Sequence, residues 1–262
     1  MKVLKEFYQD ELHVRVFETR TDMGACAGAD VARCIKKLQS EQESINVMFA
    51  AAPSQNETLA ALVADSDIDW TRVNAFHMDE YVGLDPKHPA GFRNYLYREI
   101  FGKKPFRTVN ILNGNANNPE EEAKRYSRLL IEHPLDVCIL GVGENGHIAF
   151  NDPPVADFCD PVLVKTVKLE EQCRQQQVHD GCFDWLDQVP MYALSVTIPG
   201  LMAAKYMFCS VPSDTKANAI DHLIHDEISV ACPATILRKH EGAELYLDVD
   251  SAKFILKREN LE

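Results

Sequence analysis

Apolar residues recur along the chain in two spacings that alternate from one end to the other. Short continuous or alternating apolar runs predict strands, and apolar residues three or four positions apart predict helices. We predict strands at residues 13–17, 45–50, 73–76, 135–140, 193–198, 206–211 and 243–247. Because strands and helices alternate throughout, we expect an α/β fold. It would be a single domain, residues 1–262, with a mostly parallel, doubly wound, Rossmann-like sheet and helices on both faces.

Polar residues at the ends of the apolar patterns mark where helices begin. Thr21 or Asp22 would cap a first helix whose apolar residues run from 23 to 38. Asn118, followed by Pro119 and three glutamates, predicts a helix that continues to about residue 133. Further helices are expected at residues 57–63, 91–101, 170–179, 199–204, 215–224 and 232–237.

Composition excludes several classes of partner. The chain of 262 residues has a formal net charge of −13 and no cluster of lysine and arginine, so a nucleic-acid partner is not expected. A small anionic substrate is still compatible, because it responds to the local field of its pocket. No apolar stretch approaches the roughly 18 residues of a membrane span.

The eight cysteines are scattered without a C-x-x-C pair. The N-terminus does not have the pattern of a signal peptide. We therefore expect reduced thiols in a cytoplasmic protein. The spacing required for a zinc site is also missing, so no metal is expected.

The stretch at residues 140–153 is the densest candidate for chemistry. It reads LGVGENGHIAFNDP, and an apolar run leads into it. A strand that ends in glycines and presents ionisable side chains is typical of a site at the carboxyl edge of an open sheet. His147 is a candidate proton shuttle, Asp152 could orient it, and Asn145 could position a partner or hold a substrate hydroxyl.

Asp79 and Glu80 follow the predicted strand at residues 73–76. Adjacent residues of an extended chain point to opposite sides, so one of these carboxylates can enter a site while the other turns away. Spacing does not decide which one enters. A carboxylate flanked by apolar residues can have a raised pKa, as a general base requires.

Two predicted helix starts offer donors for an anion. Lys216 lies in the first turn after Ser213, and free backbone N–H groups beside a lysine can bind a phosphate. Ser54, with Gln55 and Asn56, opens another helix and could supply a second set of donors. These loops and the two described above follow predicted strands, so we expect all four to meet at one edge of the sheet.

Three of these stretches together resemble the glucosamine-6-phosphate deaminase (isomerase) family. They are MDEYVGL at residues 78–84, NILNG at 110–114 and GVGENGHIAFNDP at 141–153. The likeness runs from about residue 45 to the C-terminus. It implies a Rossmann-like fold and an aldose–ketose isomerisation coupled to deamination of a sugar phosphate, without a redox cofactor or an obligatory metal.

The resemblance also implies a role for each matched residue. Asp79 matches the base that moves a proton between C2 and C1 through an enolamine, and His147 matches the residue that opens the sugar ring. Asn145 and Asp152 match positions that support the histidine, and Lys216 matches a phosphate-binding lysine.

The chain departs from the family at the phosphate end. Ser54 and Gln55 lie in PSQN (53–56), where the family has a glycine-rich phosphate loop, and Asp152 replaces the usual Glu. A phosphate-contacting arginine of the family falls near His179, with Arg174 nearby. We therefore include Ser54, Gln55, Arg174 and His179 as candidate phosphate contacts.

Two other functions remain open at this stage. One is a hydrolase similar to the related 6-phosphogluconolactonases, which usually have Ser-Leu-Phe-Pro where this chain has residues 150–153. The other is a sugar-phosphate-binding regulator without turnover, or an enzyme with a different sugar substrate. The oligomeric state is also open, a homo-oligomer included.

Overall fold

The computed structural model describes residues 2–259 and confirms an α/β fold with a large, mostly parallel sheet between helices. Within those residues the strands are β1 (Val3–Gln9), β2 (Leu12–Phe17), β3 (Ile45–Phe49), β4 (Val73–His77), β5 (Asp79–Tyr81), β6 (Thr108–Asn110), β7 (Val137–Leu140), β8 (Val164–Lys168), β9 (Tyr192–Val196), β10 (Tyr206–Val211) and β11 (Ala243–Asp248). All seven predicted strands are present. Strands β1, β5, β6 and β8 were not predicted.

After β2, helices connect most of the successive strands of the described chain, except β4 to β5 and β7 to β8. They are α1 (Arg20–Glu41), α2 (Asn56–Ala64), α3 (Phe92–Leu96), α4 (Pro119–Glu132), α5 (Glu171–His179), α6 (Ile198–Met202), α7 (Ala217–His225) and α8 (Lys253–Glu259). Helix α3 continues as one π-helical turn, Tyr97–Phe101. Short 3₁₀ turns precede α2 and α7, at Pro53–Gln55 and Asp214–Lys216.

The start of α1 differs from the prediction, whereas the start of α4 agrees with it. Thr19, and not Thr21 or Asp22, caps α1, because its side-chain oxygen accepts from the backbone N–H of Asp22. The apolar spacing begins only at residue 23, so it could not reveal the polar first turn. Asn118 caps α4 by accepting from the two N–H groups that follow Pro119.

The order of the large sheet is β1-β2-β11-β10-β7-β3-β4-β6, and only the β1–β2 pair is antiparallel within it. From β3 the chain builds outward through β4 to β6. From β7 it builds in the opposite direction through β10 to β11. The order therefore reverses between β3 and β7, and ligands of open α/β sheets bind outside the carboxyl ends of the strands at such a point.

A second, three-stranded antiparallel sheet has the order β5-β9-β8. Strand β9 corresponds to the prediction at residues 193–198, but it pairs here and not in the large sheet. Strand β5 begins directly after β4 and Met78, so this small sheet extends from the carboxyl end of β4. It therefore carries Asp79 away from the large sheet while keeping it close to the edge where ligands bind.

The core lies on both faces of the large sheet. Strand β3 shows this, because Met48 packs in one buried cluster while its neighbours Val47 and Phe49 pack in the other. Apolar residues of α1 and α2 cover the second face, and those of α4 and α7 cover the first. Alternate side chains of each strand are thus buried on opposite faces, which confirms the doubly wound arrangement.

Two expectations from composition can be compared with the described residues. None of the helices in residues 2–259 is both long and apolar enough to cross a membrane. All eight cysteines have free thiols, as predicted.

Candidate active site

A cavity lies at the carboxyl ends of β3, β7 and β10, beside β5. Its walls include residues from all four predicted loops: Ser54 and Gln55, Asp79, His147, and Lys216. The cavity is thus at the reversal of strand order. The convergence of the four loops, which the sequence predicted from parallel strands, is present in the structure.

The adjacent carboxyl groups of Asp79 and Glu80 lie in different surroundings. Asp79 lines the cavity. Glu80 instead accepts hydrogen bonds from the backbone N–H groups of Tyr81, Phe92 and Arg93, at 3.0 to 3.1 Å. Glu80 therefore fixes the start of α3. Asp79 is the carboxylate that enters the cavity, which spacing alone did not decide.

The environment of Asp79 favours its protonated form. The residue is buried, and burial together with the nearby charge of Glu80 raises the pKa of the Asp79 carboxyl well above its usual value. A carboxylate held in this way binds a proton more strongly than one in water. That is the property that a general base for a carbon-bound proton requires.

His147 is held through one ring nitrogen. Its Nδ1 lies 2.7 Å from Asn145 Oδ1 and 3.0 Å from Asp152 Oδ1. Both partners are acceptors, because the amide nitrogen of Asn145 itself donates to Asp152. The network thus assigns the proton to Nδ1 and leaves the Nε2 lone pair to act as an acceptor.

Glu170 completes this network, and the sequence did not reveal it. Its carboxylate accepts from Asn145 Nδ2 at 2.7 Å, and its backbone N–H donates to Asp152 Oδ2 at 3.2 Å. Burial alone would raise the pKa of Asp152. The hydrogen bonds from His147, Asn145 and the Glu170 backbone outweigh it and hold that pKa below its usual value. Asp152 is therefore an anion that can stabilise a protonated histidine.

Gly143 packs directly against the ring of His147. A Cβ at this position would lie 2.1 to 2.3 Å from three ring atoms. Gly146 has a φ of +81°, which favours glycine, and Ala149 also has a positive φ of 46°. The glycines of this stretch therefore allow the backbone to hold the imidazole in its position.

Lys216 is a buried cation without a hydrogen-bond acceptor. It is 4% exposed, and its Nζ makes no hydrogen bond among the described residues. Glu144 Oε1 lies 3.9 Å away. Burial lowers the pKa of Lys216, although the charges of Asp180 and Glu144 oppose that effect. A buried ammonium without an acceptor is costly, so this position suits an anionic or strongly accepting ligand.

Ser54 and Gln55 both line the cavity, but they differ in whether a donor is free for a ligand. The Gln55 amide nitrogen donates to Ser210 O and Ser54 Oγ, both at 3.1 Å, and its backbone N–H donates to Ala52 O. Gln55 therefore lacks a free donor, and its role as a phosphate contact stays a prediction. Since Ser54 Oγ is the acceptor in its bond with Gln55, its hydroxyl proton can be directed to a ligand.

The structure does not bring Arg174 and His179 into the cavity wall. The guanidinium of Arg174 donates to the carbonyls of Leu186 and Val189 and lines a separate cleft. The role of Arg174 as a phosphate contact stays a prediction that this position does not favour. His179 is exposed and lies behind the wall, with Nδ1 3.4 Å from both carboxylate oxygens of Glu144.

Other polar residues of the cavity wall were not singled out as contacts, although Ser213 and Thr215 belong to the predicted loop that ends at Lys216. These wall residues are Arg20, Gln176, Gln177, Asp180, Ser213 and Thr215. Arg20 is already engaged, since its guanidinium donates to Glu57 and to Pro53 O. A strand-end signal could have identified Ser213 and Thr215, which precede Lys216. No local signal marks Asp180, because it enters the cavity from the end of α5.

Three donor atoms below the cavity have a type and spacing that could hold a metal. Atoms of His147, Asp152 and Cys173 lie within 4.8 Å of one another. Cys173 is distant in sequence from His147 and Asp152, so the expectation of no metal site, which rested on local spacing, did not consider the three together. Burial raises the pKa of the Cys173 thiol well above its usual value, which disfavours the thiolate that metals bind.

Comparisons with known proteins agree with this geometry. The family described as glucosamine-6-phosphate isomerases/6-phosphogluconolactonase matches residues 18–158. A glucosamine-6-phosphate deaminase of Listeria welshimeri is 34% identical over 211 residues, which are 80% of this chain and 88% of the relative. One of Lacticaseibacillus paracasei is 30% identical over 247 residues, 94% of this chain and all of the relative.

Solved structures share the fold. A monomeric glucosamine-6-phosphate deaminase superimposes with a TM-score of 0.83 and 27% identity, over 92% of this chain and 98% of that one. A 6-phosphogluconolactonase of Trypanosoma brucei has a TM-score of 0.74 over 92% of this chain and 98% of its own, at 18% identity. The second likeness concerns the fold alone.

Proposed function

Because the chain belongs to the family of glucosamine-6-phosphate isomerases and 6-phosphogluconolactonases, we propose that it is a glucosamine-6-phosphate deaminase. The enzyme converts glucosamine 6-phosphate to fructose 6-phosphate and ammonia. The observation that carries the proposal is that one cavity holds both the Asp79 carboxyl, whose pKa is raised by burial, and the imidazole of His147, which is held through Nδ1.

His147 has the geometry to open the sugar ring. Its Nε2 accepts the proton of the anomeric hydroxyl, and the resulting imidazolium gives a proton to the ring oxygen as the C1–O bond to that oxygen breaks. Asp152, 3.0 Å from Nδ1, stabilises the imidazolium during this step. The product is the open-chain aldehyde with the amine still on C2.

Asp79 then carries the proton between the two carbons. Its carboxylate removes the proton from C2 of the ammonium form of the aldehyde while O1 takes up a proton from that ammonium group, which gives a 1,2-enolamine with a hydroxyl on C1. The carboxylic acid then returns its proton to C1. The C2 iminium that forms takes up water and loses ammonia, leaving the ketose. A buried carboxylate is suited to this task because it releases the proton to carbon and not to bulk water.

The phosphate end of the substrate is assigned to Lys216 and Ser54. The buried ammonium of Lys216 lacks a hydrogen-bond acceptor, and the Ser54 hydroxyl can donate. A phosphate oxygen placed between them would satisfy both groups. The proposal leaves out Arg174 and Gln55, whose donors are engaged elsewhere.

We also propose that residues 1–262 act as one domain, on a small molecule and in the cytoplasm. The free thiols of all eight cysteines support a reducing compartment.

A substrate panel tests the proposal. Purified protein is given glucosamine 6-phosphate, its galactosamine epimer and 6-phosphogluconolactone, while ammonia and acid release are followed. We expect ammonia from an amino-sugar phosphate and no acid release from the lactone. Acid release from the lactone without ammonia from either amino sugar would favour the hydrolase instead.

A further inference from the structure

The charges of two carboxylates, Glu144 and Asp180, act on the cation in the cavity, Lys216. Lys216 Nζ lies 3.9 Å from Glu144 Oε1. The backbone N–H of Glu144 donates to Gln176 Oε1, and Gln176 Nε2 in turn donates to Asp180 Oδ2 at 3.3 Å. We call these four residues, Glu144, Gln176, Asp180 and Lys216, the lysine–acid cluster. It contains one positive and two negative side chains.

The rest of the wall does not supply the missing positive charge. Of the lining residues that the structure describes, Arg20 is the other fixed cation, and it is paired with Glu57 at 2.8 Å. The charged and titratable groups around the cluster are Arg20 from α1, Asp79 from β5, Glu144 and His147 from the loop after β7, His179 and Asp180 from the end of α5, and Lys216.

This charge balance is unfavourable for a phosphate dianion. A ligand with two negative charges would meet one ammonium without a hydrogen-bond acceptor and the carboxylate of Asp180 in the same wall. Like charges in a partly desolvated site repel strongly unless a proton lies between them. A phosphate ester has a second pKa of about 6, so its monoanion is accessible near neutral pH.

We propose that the cavity binds the sugar ester as the phosphate monoanion, with Lys216 donating to its charged oxygens and Asp180 accepting the proton of its remaining hydroxyl. The proposal rests on the proposed function. Asp180 Oδ2 already accepts from Gln176, but a carboxylate offers about four lone-pair positions, so it can take a second donor. Glu144 balances part of the lysine charge when the cavity holds no ligand.

The proposal makes Asp180 a specificity-determining residue. A sulfate ester has the shape and single negative charge of the phosphate monoanion, but it carries no hydroxyl that could donate to Asp180. In the wild-type cavity its oxygen would face the carboxylate oxygen without a proton between them. The sulfate ester therefore lacks one charge-assisted hydrogen bond. Its loss should weaken binding by roughly ten- to a hundredfold.

The test compares glucosamine 6-phosphate, glucosamine 6-sulfate and unphosphorylated glucosamine as substrates, with ammonia as the readout. We expect kcat/KM for the phosphate to exceed that for the sulfate by at least about tenfold. In Asp180→Asn the amide can donate to either ester, so the ratio should fall by about tenfold or more, through KM more than kcat. Asp184→Asn, an exposed carboxylate outside the cavity wall, is the control with the same charge change.

Each outcome decides one of the two proposals. Equal turnover of both esters, or a preference that Asp180→Asn leaves unchanged, overturns the monoanion proposal. A higher kcat/KM for unphosphorylated glucosamine than for either ester also overturns the monoanion proposal. That result would still agree with the proposed deamination. Absence of ammonia from all three compounds overturns the proposed function. Calorimetric titration with inorganic phosphate and inorganic sulfate, on the wild type and Asp180→Asn, then decides the monoanion proposal independently.

Discussion

Asp79 and Glu80 are consecutive residues of β5, and their carboxyl groups face different partners. Asp79 lines the cavity, while Glu80 accepts three backbone N–H groups at the start of α3. Pairing with β9, in which Asp79 lies opposite Ser195, fixes which of the two enters the cavity. The assignment of the base therefore depends on the small sheet.

Asp79→Asn is expected to abolish isomerisation while making the protein more stable at neutral pH. General bases contribute about 10²- to 10⁴-fold to a rate, so kcat should fall in that range while ligand binding is largely retained. Because the folded-state pKa is raised, the protonated carboxyl stabilises the fold below its unfolded pKa. That contribution is lost as the pH rises through the folded pKa.

Thermal unfolding of Asp79→Asn and wild type at several pH values checks the second part. The two proteins should unfold at similar temperatures below the unfolded pKa of about 3.9, and the mutant should unfold at a higher temperature near neutral pH. Glu80→Gln is the comparison, and it should destabilise the protein through the start of α3. Wild-type turnover in Asp79→Asn would refute the assignment of the base.

His147→Gln should impair ring opening more than proton transfer. The amide cannot accept the anomeric proton and return it, so turnover of the cyclic substrate should fall by about a hundredfold. A substrate already in open-chain form should lose far less. Parallel kinetics on the two forms make the measurement, and an equal loss on both would count against this role.

Glu170→Gln tests the part of the histidine network that the sequence did not reveal, the hydrogen bond from Asn145 to Glu170. The change weakens a charge-assisted hydrogen bond to Asn145 that is 2.7 Å long, so kcat should fall by roughly tenfold with little change in KM. Glu171→Gln, the exposed neighbour, is the matched control. If both variants lost the same activity, the role of Glu170 in positioning His147 would be untenable.

The stabilisation by Asp152 should depend on pH in the opposite direction to that by Asp79. Its folded-state pKa is lowered, so its stabilising contribution is present above the unfolded pKa of about 3.9 and is lost as the pH falls through the folded value. Asp152→Asn should therefore be less stable than wild type near neutral pH, and the difference should shrink below about pH 4. Denaturant unfolding at each pH measures it, and a constant difference would contradict the linkage.

Local patterns could predict the convergence of the loops but not the contacts inside the cavity. Ser54, His147 and Lys216 follow strands of one parallel sheet, so their carboxyl-end loops had to meet. Glu170 reaches Asn145 only through the tertiary fold, and no spacing reveals it. Arg174 was placed by its closeness to His179 in sequence, but its position on α5 turns it toward Leu186 and Val189.

Three of the strands that the sequence did not reveal, β5, β6 and β8, are short or polar. Strand β6 has three residues, and β8 has lysine or threonine at three of its five positions. Their strand conformation depends on pairing with β4 and β9, which supply the hydrogen bonds and the buried neighbours. Such pairings depend on residues distant in the chain, so a local pattern carries little information about them.

The position of β2 between β1 and β11 has a consequence for the synthesis of the protein. His13 and Glu244 are register partners, although 231 residues separate them. While the chain emerges from the ribosome, β2 has one neighbour and presents an open strand edge until almost the whole sequence is available. Contacts this distant slow folding, and open edges promote aggregation. The edge of β2 is therefore open to pairing with other chains until β11 has docked.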